Sequence, residues 1–71
     1  MNTFNIKGEF IQLNQLLKIM GWCNSGADAN SFIEQGLVRV NDVIETRKRN
    51  KLFPGMVVKF ELHQVKIAHE L

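Results

Sequence analysis

The chain has few of the residues that build disulfides, metal centres or catalytic sites. It contains one cysteine, Cys23, and two histidines, His63 and His69, among 71 residues. A single cysteine excludes an internal disulfide framework, and no cysteines or histidines stand at the spacing of a structural zinc site. The sequence therefore predicts a domain without a bound metal or cofactor.

Long apolar runs are also missing. Residues 1–10 lack the apolar segment of a signal peptide, and no run approaches the roughly 20 apolar residues that a membrane-spanning helix needs. There is no internal repeat, low-complexity segment or interdomain linker. We therefore expect one domain, residues 1–71, in an intracellular protein located in the cytoplasm.

The groups used in catalysis are scattered. The glutamates show no spacing typical of a paired acid and base. Cys23 has no histidine or second cysteine positioned to activate it, and we expect a partly buried filler. In a chain of 71 residues, of which 45% are apolar, most of the apolar residues are needed to form the core. Few residues remain to line a catalytic cleft. The sequence therefore favours a protein that is not an enzyme.

Positive charge is concentrated in one window of the chain. Residues 39–51 hold five basic and two acidic residues, a local charge of +3, whereas the rest of the chain sums to −1. Such segregation favours an anionic partner, above all a nucleic-acid backbone, although a short charge run is often only a solvated loop. The run consists of Arg47, Lys48, Arg49 and Lys51.

Two helices are predicted in the first half of the chain. Ser25 opens the second in a Ser-x-x-Asp box, in which its hydroxyl accepts a backbone N–H and Asp28 lies near the positive end of the helix dipole. Gly21 and Gly36 are expected to end the two helices. The first helix is predicted from apolar residues at helical spacing: Phe10, Leu13, Leu16, Leu17 and Met20.

The remaining segments predict strands. Residues 3–7 alternate weakly, as an edge strand does, and residues 38–40 alternate before Asn41 and Asp42, which tolerate the positive φ of a two-residue hairpin turn. A return strand is expected at 44–46, a turn at 54–55, a strand at 56–62, a turn at His63 and Gln64, and a last strand at 65–68. Two helices followed by a small, mostly antiparallel sheet form an α+β fold.

These elements and residues together resemble a known family. The matching positions lie between 12 and 61: Leu13, Leu16, Leu17, 25–27, Ala29, 32–33, Gly36, 38–41 and 54–55. This pattern resembles the alpha-L RNA-binding motif of the type named after a ribosomal small-subunit protein, also found attached to pseudouridine synthases, tyrosyl-tRNA synthetases and a small heat-shock ribosome-binding protein. Residues 45–49 look like those of the short stand-alone bacterial members, which have no catalytic domain.

The resemblance implies a surface that lies against structured RNA, such as ribosomal RNA or tRNA, and possible contact with ribosomal particles. That surface combines the starts of both helices with the loop after the hairpin. Asp28 adds negative charge to that surface. Gln12 and Asn30 are neutral at positions that are basic in many relatives, so more of the binding is expected from the basic run. Carried over by position, the candidate residues are Gln12, Asn14, Ser25, Gly26, Asn30, Arg47, Lys48, Arg49 and Lys51.

Two alternatives remain open at this point. Trp22 is either a lid on the core or a partly exposed stacking platform, whereas Phe32, Phe53 and Phe60 are expected in the core. The second function class is a protein-interaction adaptor that uses the same fold and basic edge on an acidic partner. Binding that survives nuclease treatment would distinguish this adaptor from an RNA-binding module.

Overall fold

The computed structural model describes residues 2–70, which form two helices and two sheets around a shared core. The predicted α+β fold is confirmed. In chain order the elements are β1 Asn2–Ile6, β2 Ile11–Gln12, α1 Leu13–Ile19, α2 Gly26–Glu34, β3 Val38–Val40, β4 Val43–Ile44, β5 Lys51–Leu52, β6 Val57–Phe60 and β7 His63–His69.

Helix α1 begins later than its apolar spacing predicts. Leu13, Leu16 and Leu17 are fully buried, as expected for its apolar face. Phe10 was wrongly assigned to the helix, because residues 11 and 12 are extended and pair antiparallel with β5. The strand pairing takes precedence over the helical pattern, so Phe10 lies outside α1 and is exposed.

The predicted boundaries of α2 are confirmed. The Oγ of Ser25 accepts a 3.2 Å hydrogen bond from the backbone N–H of Asp28, which satisfies one of the donors that a helix start leaves free. Ala29 and Ile33 are the buried residues of the helix. Gly36, at φ 78°, adopts the left-handed conformation after its last turn.

The larger sheet has the strand order β1-β7-β6-β3-β4. Strand β1 lies at one edge, as predicted, and pairs in parallel with β7, whereas the other pairs are antiparallel. Asn41 and Asp42 have φ values of 51° and 68°, so the predicted hairpin turn is confirmed. The return strand β4 covers residues 43–44 and is shorter than the expected segment.

The turn predicted at His63 and Gln64 is wrong. Both residues belong to β7, and His63 pairs with Phe60 across a connection formed by Glu61 and Leu62. Glu61 takes φ 55°, a conformation for which its side chain has no special preference, so the sequence carries no turn signal there.

Both helices and both sheets contribute to one core. Leu52 of β5 is fully buried in it, which attaches the small β2–β5 sheet to the rest of the fold. This position brings the loop before β5 next to the start of α1, because β2 leads directly into that helix. Neither helix between residues 2 and 70 has the length and apolarity needed to cross a bilayer.

Candidate nucleic-acid interface

The basic run lies in a loop that is held against the start of α1 by its backbone. We call residues 47–51 the basic loop. The backbone N–H of Leu13 donates to the carbonyl of Asn50 at 2.9 Å, and that of Asn14 donates to the carbonyl of Lys48 at 3.0 Å. Since the first N–H groups of a helix have no partner within it, the loop supplies acceptors that α1 needs.

The β2–β5 pairing adds a second attachment. Gln12 lies opposite Lys51, so the residue that precedes α1 neighbours the end of the basic loop. The backbone N–H of Gln12 donates a hydrogen bond to the Oε1 of Gln15 at 3.3 Å. The structure therefore brings Gln12 and Asn14 together with the basic loop, although they are more than thirty residues apart in sequence.

Helix α2 joins this region through a pair of asparagines. The Nδ2 of Asn14 donates to the Oδ1 of Asn30 at 3.0 Å. The Oδ1 of Asn14 is buried and has no hydrogen-bond partner among the described residues. Gly26 lies one helical turn before Asn30, on the same face of α2. Hydrogen bonds thus link the basic loop to the start of α1, and the start of α1 to the middle of α2.

Ser25 and Gly26, both predicted to contact RNA at the start of α2, differ in which of their groups a ligand can reach. The hydroxyl of Ser25 is used as the helix cap. Gly26 has open space around it, since a Cβ built there meets no described atom within 4 Å. An approaching ligand can therefore come closer to the backbone at Gly26 than at a residue with a side chain.

Arg47 differs from the other cations of the run because its charge is paired. Its Nε and Nη2 donate to the two carboxylate oxygens of Glu45 at 2.9 and 3.0 Å, and its backbone N–H donates to the same carboxylate. The hydrogen bond from Arg47 is the main reason that the pKa of Glu45 lies below its ordinary value. The Glu45 side chain is only 14% exposed, whereas that of Arg47 is 75% exposed.

Lys48, Arg49 and Lys51 are exposed, and within residues 2–70 none of them forms an ion pair. The nearby acidic residue Asp42 binds Lys59 instead, with 2.7 Å between Oδ1 and Nζ. This hydrogen bond holds the pKa of Asp42 below its ordinary value. The ammonium group of Lys51 lies 4.8 Å from the centroid of the Phe10 ring, a contact that does not neutralise its charge. No carboxylate within residues 2–70 neutralises any of the three cations.

A groove of about 640 Å³ separates the β3–β4 hairpin from the basic loop and the turn after β5. It includes two apolar residues, Val43 and Phe53, that are exposed. The expectation that Phe53 is a core residue was wrong; its position next to a cation run and a Pro-Gly turn was the available signal. The lining residues are Val40, Val43, Glu45, Arg47, Arg49, Asn50, Lys51, Phe53 and Met56.

Trp22 and Cys23 lie apart from this groove. Trp22 is half-buried, packs against the core, and stacks on Phe60 and His63 with ring centroids 6.4 and 5.2 Å apart. Phe32 stacks on Phe60 from within the fold. Burial raises the pKa of the Cys23 thiol, and the charge of Asp28 raises it further, which disfavours a reactive thiolate.

Comparisons with known proteins place the chain among RNA-binding folds. A family model described as the S4 domain matches residues 4–68. The "Putative RNA-binding protein YbcJ" of Escherichia coli (strain K12) is 43% identical over 69 residues, which cover 96% of this chain and 99% of the relative. The "Probable ribosome maturation protein RlbA" of Bacillus subtilis (strain 168) is 38% identical over 60 residues, which cover 84% of each chain.

A solved structure gives the same result. The solution structure of YbcJ from E. coli, described as revealing an alpha-L motif involved in RNA binding, superposes with a TM-score of 0.73 at 42% identity. The match covers 96% of this chain and 87% of that structure. Both the sequence and the fold of the present chain therefore resemble those of a stand-alone domain.

Proposed function

Because the chain belongs to the S4 domain family, we propose that it is a non-catalytic protein that binds structured RNA. The observation that carries the proposal is that Lys48, Arg49 and Lys51, which have no acidic partner within residues 2–70, lie in a segment bonded to the start of α1. The surface offers a phosphate backbone positive charge and, at Gly26, an open stretch of main chain.

Binding would depend mainly on phosphate contacts. Each lysine or arginine that meets a phosphate releases a condensed counterion, so affinity falls as salt concentration rises. The bond between Arg47 and Glu45 leaves three cations of the run, rather than four, without an acidic partner among the described residues. With three phosphate contacts, the slope of log affinity against log salt should be about −2 to −3.

The polar residues at the helix starts would add shape recognition. A-form RNA presents phosphates and 2′-hydroxyls across its wide minor groove, whereas its base edges are less accessible to side chains. Gln12, Asn30 and the backbone at Gly26 can contribute neutral hydrogen bonds to such groups. Asn14 contributes indirectly, because its side chain holds α1 against Asn30 and its backbone N–H holds the basic loop.

Ribosomal RNA, bound in the cytoplasm, is the target that we propose. Support comes from the relative in B. subtilis, whose name concerns ribosome maturation.

Filter binding across a salt series tests the proposal. A structured ribosomal RNA fragment and a DNA duplex of the same sequence are compared, with the full chain as the protein. We expect tighter binding to RNA and a slope of about −2 to −3. A flat salt response would refute the phosphate mechanism, and retention of a protein partner after nuclease treatment would favour the adaptor instead.

A further inference from the structure

The groove beside the basic loop combines apolar and cationic surfaces in a way that phosphate binding alone does not require. We propose that it takes the base of one unpaired nucleotide. This inference rests on the proposed RNA binding and specifies which part of the RNA is recognised. The groove volume of about 640 Å³ lies within the usual range for small-ligand sites.

The apolar part of the groove suits a nucleobase. Val43 is 68% exposed and Phe53 is 41% exposed, and Met56 lies beside them in the same lining. Single exposed apolar residues are common on protein surfaces, but here two of them share one concavity with the half-buried Met56. An unstacked base has apolar faces that gain from leaving water, and an aromatic ring such as Phe53 is the usual surface on which it stacks.

Arg47 adds a flat surface that is already held in place. Glu45 accepts two hydrogen bonds from one edge of the guanidinium group, which limits the rotation of the group and offsets part of its positive charge. The side chain remains 75% exposed, so the group is accessible although its charge is paired. A guanidinium plane held in this way is suited to stacking on a base.

The charges at the rim distinguish a nucleotide from a purely apolar ligand. Arg49 and Lys51 line the same groove and have no ion-pair partner within residues 2–70. A base in the groove would place the phosphates of its own nucleotide and of its neighbours near these cations. An acidic peptide with apolar side chains shares the charge but lacks the flat, stackable faces, so the planar and aromatic lining favours the nucleotide.

Three RNA probes test the inference with the full chain. They are a fully paired duplex, the same duplex with one bulged nucleotide, and that bulged duplex with an abasic ribose at the bulge. We expect the bulged duplex to bind about tenfold more tightly than its abasic counterpart, as a single base stack typically provides. Equal, salt-dependent binding of all three would overturn the groove inference and leave RNA binding intact. No binding to any probe would refute the proposed function itself.

Two phenylalanine variants distinguish an effect on base binding in the groove from an effect on packing of the fold. The rings of Phe10 and Phe53 contact each other with centroids 6.1 Å apart, so Phe10→Leu and Phe53→Leu remove the same ring pair. Phe10→Leu also removes the ring beneath the Lys51 ammonium, which should change the affinity for the bulged and abasic probes alike. Only Phe53 lines the groove. We expect Phe53→Leu to abolish most of the difference between bulged and abasic probes while Phe10→Leu retains it. Equal loss in both variants would overturn the assignment.

A peptide competitor tests whether the groove instead binds an acidic peptide with apolar side chains. An unstructured peptide of glutamate and leucine should fail to displace the bulged duplex at concentrations where unlabelled bulged duplex displaces it fully. Displacement by this peptide that is lost in Phe53→Leu would assign the groove to a protein partner and overturn the proposal.

Discussion

The backbone carbonyl of Lys48 accepts a 3.0 Å hydrogen bond from the backbone N–H of Asn14. This bond joins the basic loop to the start of α1 through main-chain atoms alone. The ammonium group of Lys48 takes no part in it, so the position of the loop and the charge that the loop carries are separable. Substitution of the Lys48 side chain can therefore report on binding without disturbing the fold.

Lys48→Ala combined with Arg49→Ala should weaken RNA binding and leave stability nearly unchanged. Each lost phosphate contact lowers the magnitude of the salt slope by about 0.7 to 0.9. The melting temperature should stay close to that of the parent, because neither side chain makes a hydrogen bond within residues 2–70. Filter binding over a salt series and thermal unfolding measure the two quantities.

Lys7→Ala combined with Lys66→Ala is the matched control for net charge. Both lysines are exposed and lie outside the basic loop. This variant should retain most of the parental salt slope. If the two double variants weakened binding equally, the attraction would depend on overall charge and the basic loop would have no special role.

Gly26→Ala should weaken RNA binding without harming the fold. A Cβ at this position meets no described atom within 4 Å, and alanine favours a helix by up to about 1 kcal/mol over glycine. The added methyl group would instead obstruct a phosphate that approaches the backbone at the start of α2. Gly8→Ala is the control, since that site is equally open and lies outside the proposed surface. Unchanged affinity in Gly26→Ala would remove this helix start from the interface.

The bond between Glu45 and Arg47 predicts a loss of stability in acid. The folded-state pKa of Glu45 is lowered, so its contribution is present above its unfolded value, about 4.5, and is lost as pH falls through the folded value. Glu45→Gln should therefore destabilise the domain at neutral pH, and the difference in melting temperature should shrink below about pH 4.5. Glu34→Gln, at an exposed position, should show no such convergence. A constant difference between Glu45→Gln and the parent at all pH values would contradict the prediction.

Asn30→Ala should cost more stability than Asn14→Ala. Removing Asn30 leaves the Nδ2 of Asn14 without its acceptor beside an Oδ1 that already lacks a partner, and an unpaired buried polar group costs about 1–3 kcal/mol. Removing Asn14 eliminates both of these groups. Urea unfolding followed by Trp22 fluorescence gives the free energies, and the double variant gives the coupling, expected at about 0.5–1.5 kcal/mol. The opposite ranking would show that Asn14 has a further role in the core.

The local parts of the fold could be predicted because their signals are contained in a few neighbouring residues. The Ser25 cap, the positive φ of Asn41 and the left-handed Gly36 each follow from the conformational preference of one side chain. The start of α1 could not be predicted in this way, because the extended conformation of residues 11 and 12 is imposed by pairing with β5, about 40 positions away. The turn at Glu61 was missed because its conformation is set by the pairing of β6 with β7.

The sequence by itself determined the composition of the proposed interface: two helix starts, one of them capped by Ser25, then a hairpin, and after it a segregated group of cations. Only the tertiary structure decided which cations are free. Glu45 binds Arg47 and Asp42 binds Lys59, so within residues 2–70 the cations of the run without an acidic partner are Lys48, Arg49 and Lys51. The physical reason is that ion pairing and groove formation depend on distances in space, which a count of residues along the chain does not contain.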